Sequence, residues 1–211
     1  MTAREQILHQ ARTALGRQQN QPPPESPPVR IRIPELALED RIAMLFGALS
    51  NLAGKTHLAA SPEDARAYVA DLIQGKPAVA SNASVLQECK IADLPSLQTG
   101  FTDREALRQA CVSAAFGITS ADYALADTGT LVMLSSPEEA RMISLLPPVH
   151  VAIVPRARIL TGLDELFSLV PRPGDLTSSM VLITGPSRTA DIEQILVRGV
   201  HGPGEIRVIV V

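Results

Sequence analysis

The sequence predicts an α/β protein, a mainly parallel sheet with helices on both faces. Three observations carry this. Short apolar runs suited to strands alternate with amphipathic segments of about ten residues, the pattern of βαβ units. Helix starts are explicitly capped, by SPED at residues 61–64 and TDRE at 102–105. The 211 residues are 45% apolar but only 3% aromatic, with no Trp, so Ala, Leu, Ile and Val must fill the core.

The elements follow in order. Ile7, Leu8, Ala11, Ala14 and Leu15 share one face of a helix over 2–17. Six prolines in the seventeen residues 18–34 remove donors and favour extended chain, so this stretch is a linker and 1–17 a helical arm. The α/β domain spans 35–211. A helix marked by Leu38, Ile42, Leu45 and Leu49 ends near Gly54. Strand THLAA (56–60) leads to the Ser61-capped helix, and strand PAVAS (77–81) to the helix opened by Thr102. GITSADYALA and GTLVMLS are two strands joined as an antiparallel hairpin by Asp127-Thr128-Gly129. Ser136-Pro137-Glu138-Glu139 opens a further short helix, echoing SPED. HVAIVP (150–155), a helix through Leu166, SSMVLITG (178–185), a helix over 189–197 and EIRVIVV (205–211) complete the domain.

The formal net charge of −3 provides no basic field for nucleic acid or an anionic membrane. No apolar run reaches about 18 residues, so no membrane span is expected. The N-terminal segment lacks an apolar signal region, and Cys89 and Cys111 stand far apart, which together suit a reduced, cytoplasmic protein. Two cysteines fall short of the roughly four soft ligands of a structural zinc or iron–sulfur centre, so no metal or cofactor is expected on this chain alone.

Asp-Thr-Gly also carries the carboxylate of aspartic proteases. Those enzymes need two such carboxylates sharing a proton on an all-β frame, and Thr130 stands where a small Ala or Ser is usual. A turn explains the tripeptide better, because Asp accepts backbone N–H bonds and Gly takes positive φ. It does not explain the polar crowding of Thr119, Ser120, Asp122 and Thr128 on either side, in a strand that should be apolar on both faces; Thr119, Asp122 and Thr128, with Gly129 and Thr130 of the turn, are candidates for ligand binding. An Asp inside such a strand is costly unless paired or facing a cleft. Asp122 and Asp127 are therefore candidates for ligand or proton work.

A second constellation lies at GPSRTADIEQ. Gly185, Ser187, Arg188 and Thr189 form a strand-to-helix loop, with Thr189 as cap and Arg188 as a donor fork for a carboxylate or phosphate. Such a loop is expected beyond the carboxyl ends of the strands, where open α/β sheets bind ligands. The tight turn around GVHGPG brings His201, a third candidate for proton transfer, to the same edge. His150, at a strand start after Leu-Pro-Pro, reads as structural.

GITSADYALADTGTLV together with GPSRTADIEQILVRGVHGP resembles the LUD (lactate-utilisation) domain family, and the layout with a variable N-terminal helix is similar to its protein C type. The likeness covers roughly residues 35–211. It implies a fold like that of ribose-5-phosphate isomerase, glucosamine-6-phosphate deaminase and the CoA-transferases. It also implies a cluster-free role beside iron–sulfur partner proteins that oxidise L-lactate to pyruvate. Iron–sulfur clusters are then expected on the partners, and the family assigns no catalytic residues that transfer to this chain.

Three functions stay open. The chain binds a small carboxylate or anionic cofactor between the Asp127 turn and the 185–188 loop, within the lactate system. Alternatively it is an independent isomerase- or CoA-transferase-like enzyme, or a non-catalytic assembly factor whose arm docks the partners. A homo-oligomer is compatible with each.

Overall fold

The structure is a computed structural model, and it describes residues 2–18, 20–22, 34–170, 179–189 and 195–211. Most of the expected linker lies outside these residues. The chain divides into two units, Met1–Arg32 and Ile33–Val211. The first holds helix α1 (Ala3–Ala14), opened by a capping box in which Thr2 accepts from the Glu5 N–H and Glu5 accepts from the Thr2 N–H. None of its residues is buried, and Ile7 and Leu15 are exposed.

The second unit runs α2 (Leu38–Asn51), β1 (Lys55–Leu58), α3 (Pro62–Ile73), β2 (Ala78–Ala80), α4 (Ser84–Glu88), β3 (Leu97–Gln98) and α5 (Arg104–Ser113). It continues through β4 (Phe116–Ser120), β5 (Tyr123–Leu125), β6 (Thr130–Leu134), α6 (Arg141–Leu145), β7 (Val149–Val154), β8 (Ile159–Leu160) and α7 (Leu163–Leu169). After α7 come β9 (Met180–Thr184), β10 (Arg188–Thr189), β11 (Val197–Arg198) and β12 (Glu205–Val210). Ser61 caps α3 as its sequence demands, accepting from the Asp64 N–H with Pro62 in the first turn. For α5 the cap is Asp103, not Thr102.

Six strands form a wholly parallel sheet in the order β1-β12-β7-β4-β2-β3. Its central strands are apolar on both faces. Ile118, Val151, Ile153 and Ile209 meet Ala65, Val69 and Ile73 of α3 and Leu86 of α4. Opposite, Ala152, Val154, Ile206, Val208 and Val210 meet Ile42, Leu45 and Leu49 of α2, while Val79 packs with Leu107, Cys111 and Ile143 of α5 and α6. Each such Val, Leu or Ile side chain contributes roughly 1.5–3 kcal/mol on burial, so the alternation of strand and helix is enforced by the core.

A second sheet, β8-β5-β6-β9, lies over the α2 face and shares that core through Ala124 and Leu131. Here β5 and β6 are the expected antiparallel hairpin, with Leu125 opposite Thr130. The run GITSADYALA is not one strand. It leaves the parallel sheet after Ser120, and Asp122 makes the crossing: its N–H donates to Val132 O (2.9 Å) and its Oδ2 accepts from the Leu134 N–H (2.7 Å). The Asp in an apolar run is thus paired where the chain changes sheets.

Two other expectations change. Ser136-Pro137 opens no helix: the Ser136 hydroxyl accepts from the N–H groups of Glu138 and Glu139, and α6 begins only at Arg141. Nor does Thr189 cap a helix. It lies in β10, antiparallel to Val197 of β11, and residues 190–194 of the expected helix lie outside the described part.

Candidate functional site

The loop after β9 and the loop before β12 fasten to one another. The Ser187 N–H donates to Pro203 O (2.9 Å) and the Gly199 N–H to Ser187 O (3.0 Å). Gly202 lies beside Ser187, where an added Cβ would make ordinary contact with the Ser187 Cβ at 3.4 Å. Together they roof a cavity of about 290 Å³. Gly185, Ser187 and His201 line it, with Ser144 and Leu145 of α6, the strand β9 and, on the sheet, His150 and Ile206.

This cavity lies by the amino ends of β7 and β12, not beyond the carboxyl ends of the parallel strands. The 185–188 loop follows β9, which runs antiparallel to β6 in the second sheet, so the rule for open parallel sheets does not govern it.

His150 is 1% exposed. One ring nitrogen, Nε2, lies 2.8 Å from Thr119 Oγ1, and Nδ1 is buried with no hydrogen-bond partner among the described residues. Burial pulls its pKa down to about 4, so the imidazole is neutral near pH 7. Gly117, opposite His150 across the β4–β7 ladder, admits α6: a Cβ there would run into the Ile143 carbonyl oxygen.

A chain of hydroxyls joins the first motif to the cavity wall. Thr128 Oγ1, Thr130 Oγ1 and Thr184 Oγ1 follow one another at 2.8 Å steps, and Thr184 lines the cavity. Of the candidates chosen from sequence, the structure therefore brings Gly185, Ser187 and His201 to one cavity. It ties Thr128 and Thr130 to that cavity through Thr184, and Thr119 through His150.

The others stand elsewhere. Asp127 is exposed, lies against Gly162, and lines a separate pocket with Thr161, Asp164 and Glu165. Asp122 braces β6. The guanidinium of Arg188 donates to the Leu52 carbonyl at the end of α2, and Thr189 is buried in β10. Gly129 and Gly185, both at positive φ, press on that same helix end. A Cβ on Gly129 would lie 2.9 Å from the Leu49 nitrogen, and one on Gly185 2.9 Å from the Leu52 Cβ. Among the described residues no three of His, Cys, Asp and Glu come together as a metal-binding group, and no helix is long and apolar enough to cross a membrane.

Two polar residues with buried side-chain atoms lie outside the candidate list, His150, read from sequence as structural, and Glu139. His150 carried a signal, since it is the one polar residue in HVAIV, the same anomaly that marked Asp122. Glu139 carried none. Its Oε1 accepts from the Ser81 hydroxyl (2.9 Å) and the Ser120 N–H (2.8 Å), bridging the carboxyl ends of β2 and β4. Burial pushes its pKa up to about 7, further raised by Asp122 and Glu138 and opposed by these two hydrogen bonds.

The LUD domain family model matches residues 42–211. Lactate utilization protein C of Halalkalibacterium halodurans is 42% identical over 106 residues, 48% of this chain and 46% of that protein. The protein of the same name from Bacillus licheniformis is 39% identical over 107 residues, 49% of this chain and 45% of that protein. The match thus spans about half the length of these relatives. A crystal structure of a DUF162 family protein from Deinococcus radiodurans has the same fold, with a TM-score of 0.59 and 16% identity over 83% of this chain and 99% of that one.

Proposed function

Because this chain belongs to the LUD domain family, we propose that it serves lactate utilisation by binding a small carboxylic acid in the cavity beneath the 185–188 and 199–204 loops. The observation that carries the reading is convergence. Gly185, Ser187 and His201, from two loops of the second motif, line one cavity whose wall also holds Thr184, bonded to Thr130 of the first motif. At about 290 Å³ it suits a small molecule. Its lining is apolar toward β9 and Ile206, with hydroxyl and imidazole groups of Ser187 and His201 available to an acid's oxygens. The chain recognises the acid, and partner proteins bearing iron–sulfur clusters accept the electrons. Arg188 is assigned to holding α2 through Leu52 instead of to the anion.

Calorimetric titration with L-lactate and with pyruvate tests the reading. Saturable binding that weakens at least about tenfold in Ser187→Ala, as loss of a charge-assisted hydrogen bond requires, is expected. No heat with either acid would sink it.

The exposed apolar face of α1 favours a second role, docking of the partners through the arm. Removal of residues 1–34 should then abolish co-purification with iron–sulfur partners and leave acid binding intact. Retained co-purification would refute it.

A further inference from the structure

The cavity exceeds what an acid of lactate's size needs. An apolar cavity of about 150 Å³ holds a benzene molecule, which has as many non-hydrogen atoms as L-lactate. At about 290 Å³ this one offers roughly twice that space.

Its free polar groups are confined to the roof. Ser144 Oγ already donates to Arg141 O (3.0 Å), Thr184 Oγ1 is bonded to Thr130 Oγ1 (2.8 Å), and the Nδ1 of His150 is sealed by burial. The Ser187 hydroxyl and the His201 ring, both on the roof loops, are the lining groups open to an acid. Much of the remaining lining is aliphatic. Ile183 packs with Leu131 and Ile206 of the core, and Val181, two residues earlier on β9, shares its face. Leu145 of α6 lines the same space and is 45% exposed. An aliphatic wall left open to water forgoes the gain that an apolar occupant would bring.

We infer that the acid held here carries an aliphatic tail, and that the ligand class of the cavity is monocarboxylic acids of about six to eight carbons. This rests on the reading of the cavity as a carboxylic-acid site. The carboxylate meets Ser187 and His201 at the roof, and the tail lies against Leu145, Val181, Ile183 and Ile206. L-lactate fills about half of the space and leaves the aliphatic wall wet. Each methylene moved from water onto that wall tightens binding about two- to fourfold, the upper figure for complete burial. A second carboxylate at the end of the tail would lie against the same wall unpaired, so dicarboxylic acids of that length are rejected.

The test is calorimetric titration of the full chain with L-lactate, propionate, hexanoate, octanoate and adipate, the last being the dicarboxylic acid of hexanoate's length, on wild type, Val181→Phe and Leu145→Gln. Affinity in wild type should rise at least about tenfold from propionate to hexanoate, and adipate should bind no more tightly than propionate. Val181→Phe fills the aliphatic side and Leu145→Gln makes it polar. Each should cut the propionate-to-hexanoate gain at least about threefold and leave propionate and L-lactate within about twofold of wild type. If Val181→Phe fails to fold, Leu145→Gln decides, because that side chain is already half in water. Equal affinity for propionate and hexanoate in wild type, or a gain that survives undiminished in Leu145→Gln, overturns the inference while the acid-site reading stands. No heat with any of these acids overturns the acid-site reading itself.

Discussion

Glu139 accepts a 2.9 Å hydrogen bond from the hydroxyl of Ser81, a residue 58 positions earlier, and so ties the loop before α6 to the carboxyl end of β2. The same oxygen accepts from the Ser120 N–H, while Oε2 is buried without a partner among the described residues. In the fold the group titrates near 7 instead of 4.5. Its stabilising contribution is therefore fully present below about pH 4.5 and is lost as the pH rises through about 7. Glu139→Gln keeps an acceptor for both donors and removes the charge. The variant should match wild type near pH 4 and exceed it by on the order of 2–3 kcal/mol at pH 8. Urea unfolding at the two pH values checks this, and a variant equally stable or less stable at pH 8 contradicts it.

His150 has the opposite sign. Its folded pKa, about 4, lies below the ordinary 6.5, so its contribution is present above pH 6.5 and is lost as the pH falls through about 4. Between about pH 4.5 and 6.5 the two groups offset each other. His150→Phe should remove the acid-side loss, so the stability difference between variant and wild type should change in the variant's favour between pH 7.5 and pH 4.5. A constant difference in urea midpoints across that range would show that folding leaves the His150 pKa unshifted.

Two glycines at positive φ separate backbone strain from crowding. At Gly75 (φ 73°) an added Cβ meets nothing within 4 Å, so Gly75→Ala should cost only the left-handed penalty of about 1–2 kcal/mol. At Gly129 (φ 68°) the same atom would press on the backbone of α2 at Ala48 and Leu49. Gly129→Ala should therefore cost about 3 kcal/mol or more, since helix backbone cannot yield as a side chain does. Chemical denaturation of both variants decides, and equal losses would mean that the turn slides off the helix freely.

Thr130→Val replaces the central hydroxyl of the Thr128–Thr130–Thr184 chain with a methyl group. Thr130 is buried, whereas Thr128 and Thr184 reach solvent, so their hydroxyls can turn to water and the expected loss is modest, about 1 kcal/mol. The larger effect is expected on acid binding, because Thr184 loses its orientation at the cavity wall. Unchanged lactate affinity in Thr130→Val would detach the first motif from the site.

The parallel sheet, its two helical faces and the Asp127 hairpin were legible because alternation, caps and turn chemistry are local. What failed was decided at long range. SPED and SPEE carry the same capping letters, yet only Ser61 starts a helix at once. In the second case Glu139 is drawn away to Ser81 and Ser120, partners no local pattern reveals. The break between β4 and β5 is equally invisible in an apolar run, since periodicity does not say to which sheet a strand belongs. Among the residues singled out in the first motif, Asp122 braces β6 and Gly129 is seated on α2, contacts that a linear pattern does not reveal.

The last turn of α2 is the abutment on which both motifs close, Gly129 against Ala48 and Leu49, Gly185 against Leu52, and Arg188 on the Leu52 carbonyl. That turn works as a length gauge. Adding or deleting one residue within α2 would rotate its end by about 100° and withdraw all three seats together, whereas an insertion in the exposed stretch before it leaves them in place. Among homologous chains, length variation should accumulate ahead of α2 and be rare within it, and exchanges at Ala48, Leu49 or Leu52 should be accompanied by exchanges in two loops that lie more than fifty residues apart.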